Sequence, residues 1–484
     1  MSRCGMLFPV RLSLLAIACC WLFGGVASAA DSKPNVLFIF ADDQCFDTIN
    51  ACGNSEIETP HLDQLARRGT RFSHCYNMGS WSGAVCVASR TMLNSGRFIW
   101  NANSIYNQSE KERQAGRWWP SQMKAAGYRT YMTGKWHCRA DAGKSFDRVA
   151  DVRGGMPRQT EAGYNRPLAD GTDPWSPSDP AFGGFWQGGT HWSEVVGNHA
   201  TEFLSDAAGR EEPFFMYIAF NAPHDPRQSP QSFVDKYPAD KILVPENFLP
   251  LYPFREAMGA GQSLRDEKLA PFPRTEQQVQ VHRQEYYAII THMDQQIGRV
   301  LAALEASGKA DNTWIFFTAD HGLAAGQHGL MGKQNLYDHS VRVPFLVVGP
   351  QVPAGKTIGK SIYLQDVMAT ALDLAQVEKP RHVQFHSLLP ILSGQADSPY
   401  PAIYGAYLNL QRSIRTDQYK LILYPRAAKV RLYDIQADPL EVHDLADDAA
   451  SKSIMKKLFA ELLQLQQQYA DPLDLTETFA SLQP

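Results

Sequence analysis

The residues best able to do chemistry in this chain fall into short segments far apart in sequence. Asp42 and Asp43 directly follow the apolar run 35–40, and Asp320-His321-Gly322 follows the run 314–318. A single acid in such a place is often a helix N-cap or a turn residue. Two adjacent carboxylates repel unless a positive partner sits between them, and two acid-tipped segments suit an oxygen-preferring cation such as calcium. A third segment, Cys86-Val-Ala-Ser-Arg-Thr-Met-Leu-Asn-Ser-Gly-Arg97, carries Ala88, Ser89, Arg90, Gly96 and Arg97 at fixed offsets from a cysteine. A lone thiol is commonly a buried, inert structural residue.

Three more segments add cations and imidazoles: Thr133-Gly-Lys135-Trp-His137, Asn221-Ala-Pro-His224 and Gly329-Leu-Met-Gly-Lys333. Singly, each has an ordinary reading as a satisfied structural histidine or a solvated surface cation. Position joins them. The two aspartate segments, His137 and His224 all follow apolar runs, at 35–40, 314–318, 128–132 and 213–220, and a fifth run occupies 344–348. Continuous β-branched and aromatic runs read as strands buried on both faces of a parallel sheet. Helical stretches lie between them, at 60–68, 119–126 and 284–307. The alternation predicts an α/β domain with a large, mostly parallel sheet flanked by helices. Ligands of such sheets bind beyond the carboxyl ends of the strands, where these polar residues fall.

Residues 143–197 and 226–273 are rich in Gly and Pro with little periodicity and read as long surface insertions. Trp175, Trp186, His191, Trp192 and Arg227, in or near them, suit either a sugar with its anionic groups or plain packing. Past a boundary near 394–400, short runs at 402–407, 412–415, 419–424 and 430–433 predict a small antiparallel sheet, followed by a helix over 451–469. The chain thus divides into a leader at 1–29, a large α/β domain at 30–395 and a C-terminal α+β subdomain at 396–484.

Together the segments resemble the sulfatase family, whose signature is Cys-x-Pro-Ser-Arg, a short spacer and Thr-Gly-Arg; the likeness runs from Lys33 to about Leu445. Ala88 stands where proline is commoner, Asn94 replaces a leucine and Ser95 a threonine. The resemblance implies an alkaline-phosphatase-like fold and a type I sulfatase, in which Cys86 is oxidised to formylglycine by a formylglycine-generating maturation enzyme. One hydroxyl of the hydrated aldehyde would attack sulfur. The resemblance also implies one calcium ion, held by Asp42, Asp43, the side chain at 86, Asp320 and His321. Imidazole is a poorer calcium ligand than a carbonyl oxygen, so His321 either binds weakly or hydrogen-bonds beside the ion. Arg90, Lys135 and Lys333 would neutralise the ester's charge. His224, with Lys333 as the competing candidate, would protonate the leaving oxygen, and His137 would assist expulsion of sulfate. The implied substrate is a sulfated small molecule or glycan. The alternative is a phosphoester or phosphonate-monoester hydrolase of the same superfamily; a noncatalytic sulfoglycan binder would have no use for Cys86.

Arg3 and Arg11, the apolar run 12–26 and the closing Ala27-Ser28-Ala29 predict an export signal, hence a periplasmic or extracellular protein. That run is too short for a stable membrane span. A net charge of −4 over 484 residues argues against a nucleic-acid binder, so an anionic substrate must be drawn by a local basic site. Beyond the signal five cysteines remain, at 45, 52, 75, 86 and 138, an odd number that leaves at least one unpaired.

Overall fold

Fourteen strands organise the described part of the chain: β1 (Asn35–Ala41), β2 (Thr70–Tyr76), β3 (Gly79–Ser80), β4 (Arg129–Lys135), β5 (Arg148–Arg153), β6 (Phe214–Ala219), β7 (Thr313–Ala319), β8 (Arg342–Val343), β9 (Phe345–Val348), β10 (Lys356–Tyr363), β11 (Ile403–Tyr407), β12 (Gln411–Arg415), β13 (Tyr419–Tyr424) and β14 (Lys429–Asp434). The computed structural model describes residues 1–2, 5–7 and 33–483, so the apolar run 12–26 and the Ala27-Ser28-Ala29 end of the predicted signal lie outside the described residues. From Pro34 onward the chain forms one unit.

The larger sheet has nine strands in the order β10-β2-β9-β7-β1-β6-β4-β5, with β8 beside β2. From β7 to β5 every pairing is parallel; β9 runs antiparallel to both β7 and β2. β1, β6 and β7 are buried along their whole length, as continuous apolar runs in a covered parallel sheet should be. Helices flank this sheet, and the helix Trp192–Ala208 packs against both β4 and the long helix Glu276–Ala306.

The long helix begins eight residues earlier than its apolar periodicity suggests. Its start is a capping box. The Thr275 hydroxyl accepts from the Gln278 amide at 3.2 Å, and the Gln278 side chain accepts from the Thr275 amide at 3.0 Å. Farther along this helix, the Asp294 carboxylate accepts from the first-turn amides of His61 and Leu62, at 3.1 and 2.8 Å, and so stabilises the start of the helix Pro60–Arg68. Burial raises the Asp294 pKa to about 7. Because this lies above the unfolded value, its contribution to stability is fully present below that unfolded value and is lost as pH rises through about 7. Urea unfolding should therefore show a midpoint that falls as pH rises from the ordinary carboxylate range to about 7 and levels off above it, and the fall should shrink in Asp294→Asn.

The smaller sheet runs β14-β13-β12-β11-β3. Its four C-terminal strands are antiparallel as predicted, and the helix Lys452–Tyr469 packs on β12 and β13. Its fifth strand comes from far upstream: β3 pairs in parallel with β11, six residues before Cys86. Gly79 is required there, since its φ is +90° and a Cβ would strike the Ala406 carbonyl. The small sheet thereby anchors the strand that leads into the Cys86 segment. All five described cysteines are free thiols. Among the described residues no helix is long and apolar enough to cross a membrane.

Candidate active site

Strand register brings the distant segments together. Ala41 of β1 lies beside Ala319 of β7, Phe40 beside Ala219 of β6, and Ala219 beside Gly134 of β4. The residues that follow must therefore emerge at one level, at the carboxyl edge of the sheet. The Asp320 amide donates to the Ala41 carbonyl at 3.2 Å and the Asp42 amide to the Ala222 carbonyl at 3.0 Å, extending the ladder past the strand ends.

In an extended strand, neighbouring side chains point to opposite faces. Asp43 breaks that alternation with a φ of +68°, a left-handed conformation unusual for an aspartate. Two bonds hold it. Its amide donates to Asp320 Oδ1 at 3.1 Å, and its carbonyl accepts from the Tyr286 hydroxyl at 2.6 Å. Both carboxylates can then serve the same point: donor atoms of Asp42, Asp43, Cys86 and Asp320 all lie within 4.8 Å of one another. His321 is not in that group. Its Nδ1 pairs with the Gly322 carbonyl at 2.9 Å, and burial lowers its pKa to about 4. The Asn77 amide meets the Asp320 carbonyl at 2.5 Å and fixes the turn there.

Cys86 is the second residue of the helix Val85–Ser95, whose amino end carries partial positive charge. Arg90 follows one turn later on the same face. The Cys86 Sγ lies 3.3 Å from Asp42 Oδ1, 3.7 Å from Asp43 Oδ1 and 3.3 Å from Lys333 Nζ. Burial, then the Asp320 and Asp42 carboxylates, push the thiol's pKa well above its ordinary value. Since thiolate is the reactive form, Cys86 as a thiol is a poor nucleophile here.

Each acid has a cation. Lys135 is paired with Asp42, Lys333 with Asp43, and Arg90 Nε with Asp320 Oδ2 at 2.8 Å. Arg90 also donates to the Lys135 carbonyl at 2.6 Å, and its guanidinium lies 4.6 Å from the centre of the Phe40 ring. Burial alone would raise the pKa of Asp320, but Arg90, Lys135 and Lys333 hold it well below the carboxylate range. Asp43 goes the other way, raised to about 6 because burial outweighs Lys333 and His224.

A cavity of about 200 Å³ opens over this arrangement, lined by Cys86, Lys135, His137, His224 and Lys333 together with Arg265 and Asp266. His137, half-buried on a backbone with φ +52°, has a buried Nδ1 without a hydrogen-bond partner. Burial, Lys135 and Arg90 hold its pKa far below the usual imidazole value, so it is a neutral acceptor. His224 Nε2 lies 3.3 Å from Asp43 Oδ2, and its Nδ1 lies 3.0 Å from Asp225 Oδ1.

Of the insertion residues, Trp175 stacks under Arg166, with the guanidinium 4.4 Å from its ring centre. His191 caps the helix Trp192–Ala208, accepting from the Ser193 amide at 3.1 Å. Arg227 lies over Tyr286, and Arg153 sits on the Trp192 ring. Trp186 reaches the Pro177 carbonyl. None of these five lines the cavity. Tyr286, Asn77, Asp225, Arg265 and Asp266 carry parts of the site that the sequence motifs do not announce.

The Sulfatase family pattern matches residues 34–377, and a pattern described as N-sulphoglucosamine sulphohydrolase, C-terminal, matches 326–468. An N-acetylglucosamine-6-O-sulfatase of Bacteroides thetaiotaomicron is 26% identical, over 95% of this chain and 90% of that protein. An arylsulfatase of Clostridium perfringens is also 26% identical, over 91% and 96%. A solved structure in complex with its substrate D-glucosamine-2-N,6-O-disulfate shares the fold at TM-score 0.70 and 24% identity, covering 91% of this chain and 99% of that one. So does the phosphonate monoester hydrolase of Silicibacter pomeroyi, at TM-score 0.72 and 21% identity, covering 91% and 96%. With a family match over more than half its length and acids, cations and Cys86 gathered at one sheet edge, the chain belongs to the sulfatase family of the alkaline-phosphatase-like superfamily and is a sulfuric ester hydrolase.

Proposed function

We propose that this enzyme removes sulfate from a sulfated carbohydrate, using the side chain at position 86 after its conversion to formylglycine, together with one calcium ion. The observation that carries the proposal is the placement of Cys86 Sγ in contact with Asp42, Asp43 and Lys333 beneath a cavity lined by cations and imidazoles. The relative named N-acetylglucosamine-6-O-sulfatase supports a carbohydrate substrate. The predicted signal supports export, which amino-terminal sequencing of the secreted protein would test by finding a start near Ala30.

The residues present fit the ion. Calcium binds oxygens at about 2.3–2.6 Å, so its ligands lie within about 5.2 Å of one another. Donors of Asp42, Asp43, Cys86 and Asp320 meet that limit, with Cys86 Sγ standing in for the oxygens of the modified side chain. When present, the ion supplies positive charge to the ester oxygens, and the formylglycine hydrate supplies one hydroxyl to attack sulfur and a second whose loss of a proton lets sulfate leave.

The remaining work falls to side chains described above. Arg90, Lys135 and Lys333 already balance the three carboxylates, so a bound dication leaves the site net positive, as an anionic ester requires. His224 faces the cavity with a carboxylate behind it, whereas the Lys333 ammonium is aimed at Asp43 and the nucleophile. We therefore assign protonation of the leaving oxygen to His224, a role worth roughly 10²–10⁴-fold. His137 accepts the proton in the second half of the cycle, its neutral state matching that task.

Two tests follow. Turnover of 4-nitrophenyl sulfate should exceed that of the matching phosphate and phosphonate monoesters; dominant phosphonate hydrolysis would instead align the enzyme with its phosphonate-hydrolysing neighbour. Chelation should abolish turnover, and added calcium should restore it and raise the unfolding temperature. At free calcium 100 times its Kd the stabilisation is about 2.7 kcal/mol. An unfolding temperature unmoved by calcium would contradict the metal assignment.

A further inference from the structure

We propose that Asp225 is a positioning residue that locks the tautomer of His224, so that the proton handed to the leaving oxygen sits on Nε2. The proposal rests on the reading of His224 as proton donor given above.

His224 Nδ1 is 2.8 Å from the Asp225 carbonyl oxygen and 3.0 Å from Asp225 Oδ1. A carbonyl accepts only, and so does an ionised carboxylate, so Nδ1 must carry a hydrogen. The other nitrogen, Nε2, lies toward Asp43, and His224 lines the cavity that holds Cys86. A single residue thus supplies both acceptors behind the ring, and the ring cannot turn over without losing both.

Asp225 is itself held. Its side chain is 6% exposed, and Arg265 Nη2 stands 3.6 Å from the oxygen that faces the histidine. Arg265 Nε donates to Asp266 Oδ1 at 2.7 Å, and Asp266 Oδ2 accepts from the Gln334 side chain at 2.8 Å. Burial alone would favour protonated Asp225, yet Arg265 and then His224 hold its pKa well below the ordinary range. Two acceptors behind Nδ1 keep a hydrogen on that nitrogen throughout, so the proton given up is the one on Nε2. As the sulfur–oxygen bond breaks, its electron pair stays on the leaving oxygen. That oxygen takes the Nε2 proton and departs as the alcohol, while the sulfuryl group passes to the nucleophilic oxygen at position 86, which enters the step already deprotonated.

This assigns Asp225 an effect that depends on the leaving group. A nitrophenolate is stable enough to leave unprotonated, and a methoxyphenolate much less so. The test measures kcat/KM for aryl sulfates from 4-nitrophenyl to 4-methoxyphenyl with calcium-loaded, mature enzyme. Asp225→Asn should lower turnover of the methoxyphenyl ester by roughly 10²-fold more than that of the nitrophenyl ester, steepening the dependence on leaving-group acidity. Asp225→Glu should restore part of the slope. Equal loss on every ester would overturn the proposal in favour of a merely structural carboxylate. His224→Ala separates the two readings. A steep His224→Ala beside a flat Asp225→Asn overturns the role of Asp225 alone, and a flat His224→Ala overturns the proton-donor reading beneath it. Should Asp225→Asn fail to fold, Arg265→Gln carries the same expectation in weaker form, and a slope unchanged there counts against the proposal.

Discussion

Cys86→Ala is expected to lower turnover of every sulfate ester by roughly 10⁴–10⁶-fold, the scale on which loss of a covalent nucleophile is felt. The fold should survive the change. Cys86 is buried near the start of a helix, and alanine suits a helix at least as well. Removing one sulfur leaves a small void, and Asp42 keeps Lys135 as its partner. The cost should therefore be about 1 kcal/mol, at the low end for a large-to-small core change. Circular dichroism and urea unfolding would report the preserved fold, and aryl sulfate hydrolysis the lost activity. Retained turnover in the alanine variant would mean that the nucleophile lies elsewhere, since no other thiol lines the cavity.

The second large effect is expected at Arg90. Its guanidinium is fully buried, bonded to Asp320 and the Lys135 carbonyl and 3.8 Å from Asp42. Arg90→Met keeps the bulk and removes the charge, leaving Asp320 buried without its principal cation. Breaking a buried pair from one side costs about 3–5 kcal/mol, because the remaining charge is uncompensated. The loss should be visible as a reduced urea midpoint with an unchanged slope. Activity should fall by about 10²–10³-fold, the usual effect of deleting one preorganised electrostatic contact. Arg90→Lys should recover only part of either quantity, since an ammonium cannot reproduce the fork that joins Asp320 to the Lys135 carbonyl. Calcium affinity is expected to hold or tighten in Arg90→Met, because a competing cation has been removed from the carboxylates. A variant inactive merely through loss of the ion would instead recover when calcium is raised.

Most of this site was legible in the sequence because its residues sit where backbone geometry leaves little choice. The runs ahead of Asp42, His224 and Asp320 are continuous and apolar, and the structure places these, with the mixed strand ahead of His137, in the parallel part of the sheet. β2, β5 and β10 escaped such reading for a physical reason. β2 and β10 interleave polar with apolar residues, and β5 is half-exposed at the sheet edge, so none forms a continuous apolar run. The start of the long helix was hidden by a polar first turn, although Thr275 and Gln278 spell its capping box. Tyr286 and Asn77 act through side-chain hydrogen bonds to backbone carbonyls across the fold, which no local pattern encodes. Arg265 and Asp266 lie in a Pro-rich insertion without periodicity, and only the folded chain brings them to the cavity. Asp225 stood next to a predicted residue in plain view, and its role depends on the rotation of the neighbouring ring.

The central claim is that position 86 acts as formylglycine rather than as a thiol, and mass spectrometry of the peptide spanning Cys86 tests it most directly. In protein purified from its natural host, the account predicts a peptide lighter by H₂S less one oxygen atom, reactive toward a carbonyl-specific hydrazine. An active preparation whose peptide carries only unmodified cysteine would contradict it.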